Sequence, residues 1–289
     1  LNLGGVSRTA WATKVLVAVV VGVLALVVVA CLFGGTADIG RLDVTSTGPG
    51  GLGGILEAAG LLFFAFAGYA RIATLGEEVL DPARTIPRAI PLALGLTLAV
   101  YLVVGVSALA AAGPEVLAAS AAPLATAVEA GSLADLAPVV RVGAAVASLS
   151  VLLALVAGVG RTAFAMAADR ELPAGLAAVH PRTRVPARAE IMVAALVVGV
   201  VLVGDVRGAI GFSSMNVLVY YAIANASALT LTPSQRRWPR WWAGAGLAGC
   251  LLLAGSLPVS SVLAGAAVLA VGALGYVLRE RVSPLGERR

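Results

Sequence analysis

The sequence predicts an all-α polytopic membrane protein with about eight transmembrane helices. Three observations carry that class. Of 289 residues, 60% are hydrophobic and only 12% are charged, whereas soluble domains carry about a quarter charged residues. The charged residues gather between apolar runs, most of them near the roughly 20 residues that cross about 30 Å of hydrocarbon. Gly is abundant, at 34 residues, and small side chains let helix backbones approach closely in lipid. A span must also satisfy its own backbone hydrogen bonds, which makes each run a helix.

The elements follow in order. Residues 1–13 are a polar lead-in with no charged region and cleavage site, so no signal peptide is expected. Span one covers 14–33, and Asp38, Arg41 and Asp43 keep the following loop in water. Span two runs from about 52 to 75. Pro82 and Pro87 each lack an N–H and crowd the preceding turn, so a helix is not expected to pass through them. Span three (86–112) is expected to start on Pro87, which suits a first turn. Residues 113–137 are too interrupted for a span and too apolar for a free loop, and short amphipathic helices over the bundle are expected. Spans four to eight follow at about 139–164, 187–204, 208–231, 241–255 and 258–278. The tail 279–289 is polar and expected to fray. The whole chain reads as one transmembrane domain.

The net charge of +5 comes from arginines in short loops, with no aromatic-basic platform, so nucleic acid is excluded. Alternating the spans puts nearly all cations on one side, including the cluster Arg236-Arg-Trp-Pro-Arg-Trp-Trp242. The positive-inside rule then places the C-terminus in the cytoplasm and the chain in the cytoplasmic membrane. Cys31 and Cys250 lie inside apolar runs without a CxxC or a neighbouring His, so no metal site is expected. His180 falls in a loop and reads as a surface residue. No nucleophile–base set and no phosphate-binding glycine loop is present, so neither enzyme nor cofactor is expected.

One stretch does not fit an uninterrupted span. Leu61-Leu-Phe-Phe-Ala-Phe-Ala-Gly-Tyr-Ala-Arg71 crowds aromatics beside a Gly and places a cation at membrane depth. Irregular backbone there is tolerated only against protein or a water-filled cavity, and interrupted helices mark binding sites in transporters. Two readings of Arg71 stay open: a functional charge in the cavity, or a side chain snorkelling to the interface.

Phe63-Phe-Ala-Phe-Ala-Gly-Tyr69 followed by Thr74-Leu-Gly-Glu-Glu-Val-Leu-Asp-Pro-Ala-Arg-Thr-Ile-Pro-Arg-Ala-Ile90 resembles the sixth helix and following loop of amino acid permeases of the amino acid–polyamine–organocation superfamily. Arg161-Thr-Ala-Phe-Ala-Met-Ala-Ala-Asp-Arg-Glu-Leu-Pro173, with His180-Pro and Val185-Pro, resembles that family's loop after helix eight. The resemblance implies a leucine-transporter-like inverted repeat, of which this chain carries helices five to twelve and lacks the first four.

It also implies a substrate surface at Phe63, Phe64, Ala65, Phe66, Ala67, Gly68 and Tyr69, with carbonyls for an amino group and aromatics over the side chain. Arg71, Ser148, Ser150 and Glu57 are the candidates for coupling or gating by a proton or sodium. The plainer alternatives are a backbone-bonded serine and a solvated carboxylate. Glu77 and Glu78 are expected to pair with Arg84 or Arg88 as a loop lock. Asn216, Tyr220, Tyr221 and Asn225 fall in the helix that lines the family's outer vestibule, with an interhelical bond expected for Asn225. Val20 stands where some proton-coupled members have a lysine. The expected activity is secondary transport of an amino acid or related amine by alternating access through the bilayer. The alternative is a non-transporting remnant, or a half-transporter that pairs with a separately encoded first half. A membrane enzyme ranks below both, because the polar residues do not converge.

Overall fold

The structure is a computed structural model that describes residues 6–42, 50–66, 68, 79, 81–179, 186–203 and 205–282. Every regular element among them is helical. Ten α-helices are described: α1 (Val6–Phe33), α2 (Gly51–Leu62), α3 (Pro82–Ala112), α4 (Pro114–Ala119), α5 (Pro123–Glu129), α6 (Ala137–Ala168), α7 (Ala187–Val203), α8 (Val206–Thr230), α9 (Arg240–Ser256) and α10 (Val259–Val282).

Among the described residues, four stretches are long and apolar enough to cross a membrane: Lys14–Phe33, Pro82–Ala112, Ala134–Leu152 and Val259–Val277. Expected spans five, six and seven are helical but shorter or more polar, and of span two the structure describes a helix over Gly51–Leu62 and a 3-10 turn over Phe63–Phe66, its residues 67 and 69–75 lying outside the described residues. Helices α7 and α9 have 17 residues each, about 25 Å at 1.5 Å per residue, a little less than the hydrocarbon thickness. Helix α8 is long enough, but Ser213, Ser214, Asn216 and Asn225 dilute its hydropathy.

The chain divides into two compact units, residues 1–44 with 95–202, and residues 45–94 with 203–289. In the first, Val27, Ala30 and Cys31 of α1 pack with Ala108 and Ala111 of α3, Val128 of α5 and Val140 of α6. The short helices expected between 113 and 137 are present as α4, α5 and a 3-10 turn at Ala134–Leu136, and α5 contributes Ala125, Ala127 and Val128 to this core. Each of α4 and α5 opens on a proline, whose missing N–H costs nothing at a helix start.

The loop after α1 closes the end of α3. Arg41 donates from Nη1 to the carbonyls of Thr36 (3.3 Å), Ala110 (3.2 Å) and Ala111, and the Asp38 amide donates to Ala110 as well. A cation over the last carbonyls also suits the negative end of the helix dipole. Arg41→Gln should therefore lower unfolding stability by about 1–2 kcal/mol, read as a lower Tm of the detergent-solubilised chain.

In the second unit, Leu218, Tyr221 and Ala222 of α8 pack against Cys250 and Ala254 of α9 and against Leu257, with Leu61 and Phe63 beside them. Arg240 closes the C-terminal end of α8 by donating from Nε and Nη2 to the Leu229 carbonyl at 3.2 and 2.7 Å. Trp241 and Trp242 stack at 4.4 Å between centroids and stay exposed, as interface anchors do.

Helix α3 corrects one expectation: it begins at Pro82 and continues through both Pro87 and Pro91. The Asp81 carbonyl accepts the amides of Arg84 and Thr85, so Pro82 takes the first helical position. Pro87 then falls in the helix interior, where the amide it lacks would have claimed the Ala83 carbonyl. That carbonyl accepts Arg237 Nη1 at 2.8 Å instead.

Candidate functional site

The break lies where the aromatic stretch begins. Helix α2 stops at Leu62, the backbone tightens into a 3-10 turn over Phe63–Phe66, and Gly68 adopts φ +115°. Only Gly tolerates that conformation at little cost, because no Cβ meets the backbone. Ending the α-helix also frees carbonyls of its last turn. The Leu61 carbonyl, which also meets the Phe63 amide, accepts the Ser214 hydroxyl of α8 at 3.5 Å.

Small residues hold this end of α2 in place. Gly60 is buried, and a Cβ there would lie 3.1 Å from the Leu253 carbonyl oxygen of α9 and 3.0 Å from Cδ2 of Leu257, just past the end of that helix. On α8, Gly211 lies against Ser261 of α10, whose Oγ would overlap an added Cβ. Ser214, one turn further, is fully buried.

The aromatics divide. Phe63 turns into the core of its unit, its ring edge-to-face with Tyr221 at 5.8 Å and 77°, and Tyr221 in turn meets Tyr220 at 5.2 Å. Phe64 is 41% exposed, Ala65 and Gly68 are exposed, and Phe66 is half-buried. The exposed part of the expected substrate surface is therefore Phe64, Ala65 and Gly68. Ala67, Tyr69, Arg71, Glu77 and Glu78 lie outside the described residues.

The remaining expected residues are placed as follows. Glu57 faces Arg207, with Oε1 at 3.7 Å from Nη2 and both side chains substantially exposed, a pair worth at most about 1 kcal/mol. Arg84 and Arg88 are exposed one turn apart at the start of α3. Ser150 donates to the Ala147 carbonyl of its own helix at 2.8 Å. Ser148 lines a cavity of about 520 Å³ in the first unit, with Val20 and Val23 of α1, Pro123 of α5 and Arg141 of α6. Arg141 is paired with Glu129 at 2.6 Å.

Asn225 departs from the expectation of an interhelical bond, and Asn216 bonds as it does. Asn225 donates to the Tyr221 carbonyl and Asn216 to the Phe212 carbonyl, each at 2.8 Å and each within α8. A carbonyl four residues back is always within reach of a short amide side chain, so no interhelical partner is needed. Sequence reading missed Ser214 as a partner of the break. Its signal was a serine one turn after Gly211 in an apolar run. Among the described residues no three His, Cys, Asp or Glu come together.

Comparison with known proteins bears on the family of the chain. Residues 1–278 match the amino acid permease family. The chain is 58% identical over 283 residues to proteins of Mycobacterium tuberculosis and Mycobacterium bovis that carry the name uncharacterized transporter, covering 98% of this chain and 64% of those proteins. It is 29% identical over 138 residues to the branched-chain amino acid permease BcaP of Bacillus subtilis, across 48% of this chain and 30% of that one. It is also 30% identical over 183 residues to cationic amino acid transporter 4 of Homo sapiens, across 63% and 29%. The chain thus spans about 64% of the length of the mycobacterial proteins. With the aromatic break, the double-proline helix start and a family match along nearly its whole length, this all-α, multi-pass chain belongs to the amino acid permeases of the amino acid–polyamine–organocation superfamily.

Proposed function

We propose that this chain forms the helix-five-to-twelve part of a secondary transporter for amino acids or related amines, working by alternating access in the cytoplasmic membrane with its C-terminus in the cytoplasm. The observation that carries the proposal is the interruption of α2: an α-to-3-10 change at Phe63 and a positive φ at Gly68, inside an apolar run of a permease. Such an interruption turns backbone carbonyls away from their own helix and toward a ligand's ammonium group. Phe64, Ala65, Phe66 and Gly68 would line the substrate, with Phe63 bracing them from the core, and Ala67 and Tyr69 continuing the surface. Arg71, Ser148, Ser150 and Glu57 are proposed to serve coupling by a proton or sodium, and Glu77 and Glu78 to lock onto Arg84 and Arg88.

A substrate carboxylate needs donors that this half of the family's fold does not supply, so the four preceding helices of the family complete the site. The cavity beside Ser148, walled by Val20, Val23 and Val140, offers apolar surface for such helices. Uptake of labelled amino acids into proteoliposomes tests this directly. The 289 residues alone should give no saturable uptake, and the same residues joined to the N-terminal third of a 58% identical mycobacterial relative should give it. Robust uptake by the 289 residues alone would refute the need for further helices. A joined protein that inserts but transports no amino acid or amine would point to a remnant.

A further inference from the structure

Pro87 removes an amide from the sixth residue of α3. In an α-helix that amide would donate to the carbonyl four residues back, so Ala83 is left with an unclaimed acceptor. The donor that meets it comes from 154 residues further along the chain: Arg237 Nη1, at 2.8 Å.

Arg237 sits in the link between α8 and α9, and this link is held by its own bonds. The Thr232 amide and hydroxyl donate to Gln235 Oε1 at 3.1 and 2.9 Å. Arg236 Nε donates back to the Thr232 carbonyl at 3.4 Å, and Arg240 is spent on the end of α8. Arg236 closes its own turn, Arg240, the first residue of α9, closes the end of α8, and Arg237 reaches α3. Among the described residues, neither ion pair involves it.

We propose that Arg237 is a positioning residue whose guanidinium substitutes for the missing amide of Pro87 and latches the first turns of α3 to the α8–α9 link. Two features make the contact a breakable catch rather than a permanent staple. It lies on exposed surface, where water can take over both partners when it opens. It is also charge-assisted, which makes it stronger than a neutral bond while it is closed. The proline is what makes the catch possible, since any other residue at 87 would claim the carbonyl from within the helix. The catch stands apart from substrate binding and holds whether or not the transport proposal does.

Hydrogen exchange of the amides of Arg84, Thr85, Arg88 and Ala89, in the purified chain in detergent, tests the latch. Arg237→Gln should speed their exchange about tenfold, equivalent to roughly 1.4 kcal/mol, and Arg237→Lys should restore part of the protection. Pro87→Ala supplies the helix's own donor, so in that background Arg237→Gln should change exchange less than about twofold. Equal acceleration in both backgrounds would overturn the proposal, because a general loss of charge or packing does not depend on residue 87. No acceleration in the Pro87 background would overturn it too. If Arg237→Gln proves unstable, the double variant decides: recovery of a folded, protected α3 on adding Pro87→Ala supports the latch, and failure to recover refutes it.

Discussion

Replacing Gly68 with Val should cut the initial rate of amino acid uptake by at least about tenfold in proteoliposomes of the chain joined to the N-terminal third of a mycobacterial relative. The backbone at Gly68 has φ +115°, which residues with a Cβ avoid at a cost of about 1–3 kcal/mol. A β-branched side chain sits at the upper end of that range. A Cβ built on Gly68 meets no neighbour within 4 Å, so steric contact contributes nothing to the cost. The strain is confined to the backbone, and it relaxes by rotating the peptide groups that follow the Phe63–Phe66 turn. The variant should fold with a Tm close to that of the parent while its transport fails. Gly68→Ala should lie between the two. Unchanged uptake in the Val variant would show that the conformation of Gly68 does not shape the site.

A second large effect is expected at Gly60, now on stability. Gly60→Leu should destabilise the detergent-solubilised chain by about 1–3 kcal/mol, as overpacking of a close contact does, and lower its Tm accordingly. Two neighbours differ in how they yield. Leu257 Cδ2, at 3.0 Å from an added Cβ, is the tip of a flexible side chain, whereas the Leu253 carbonyl oxygen at 3.1 Å belongs to a helix backbone. Gly60→Ala should thus cost less, and the longer side chain must push α2 away from α9. Gly53, in the same helix, has nothing within 4 Å of its own Cβ position, so Gly53→Ala should raise stability by up to about 1 kcal/mol through helix propensity alone. Opposite signs at two glycines seven residues apart separate a packing role from a propensity effect. A Gly60→Leu chain as stable as the parent would mean that α2 does not lie against α9.

The interruption of α2 was legible without coordinates, because a Gly flanked by crowded aromatics within an apolar run is a local conflict. Its partners were not. Ser214, 153 residues from Leu61, looked like any serine in a span, and nothing nearby in sequence distinguishes one that bonds its own helix from one that bonds another. The prolines misled in the same way. Their local effect was weighed correctly, since Pro87 does leave a carbonyl unclaimed. The helix nevertheless continues through it, and the carbonyl it leaves meets a donor from Arg237 that is invisible from residues 82–91. Asn225 erred in the opposite direction, where a distant partner was expected and the carbonyl one turn back sufficed.

Sequence by itself determined the class of this protein, the run of helices, the place of the break and the permease resemblance. Each of these rests on hydropathy, backbone propensity or a contiguous motif, which are properties of neighbouring residues. Tertiary structure alone decided which ring packs inward and which stays exposed at Phe63 and Phe64. It likewise decided that Gly60 and Gly211 mark close helix approaches, and that arginines 41, 237 and 240 satisfy carbonyls at turns and helix ends. The physical reason is that each depends on groups from separate elements. A close helix approach, an inward-packed ring or a carbonyl left without a donor in its own helix is met by residues that only packing brings near, whatever their distance in the sequence.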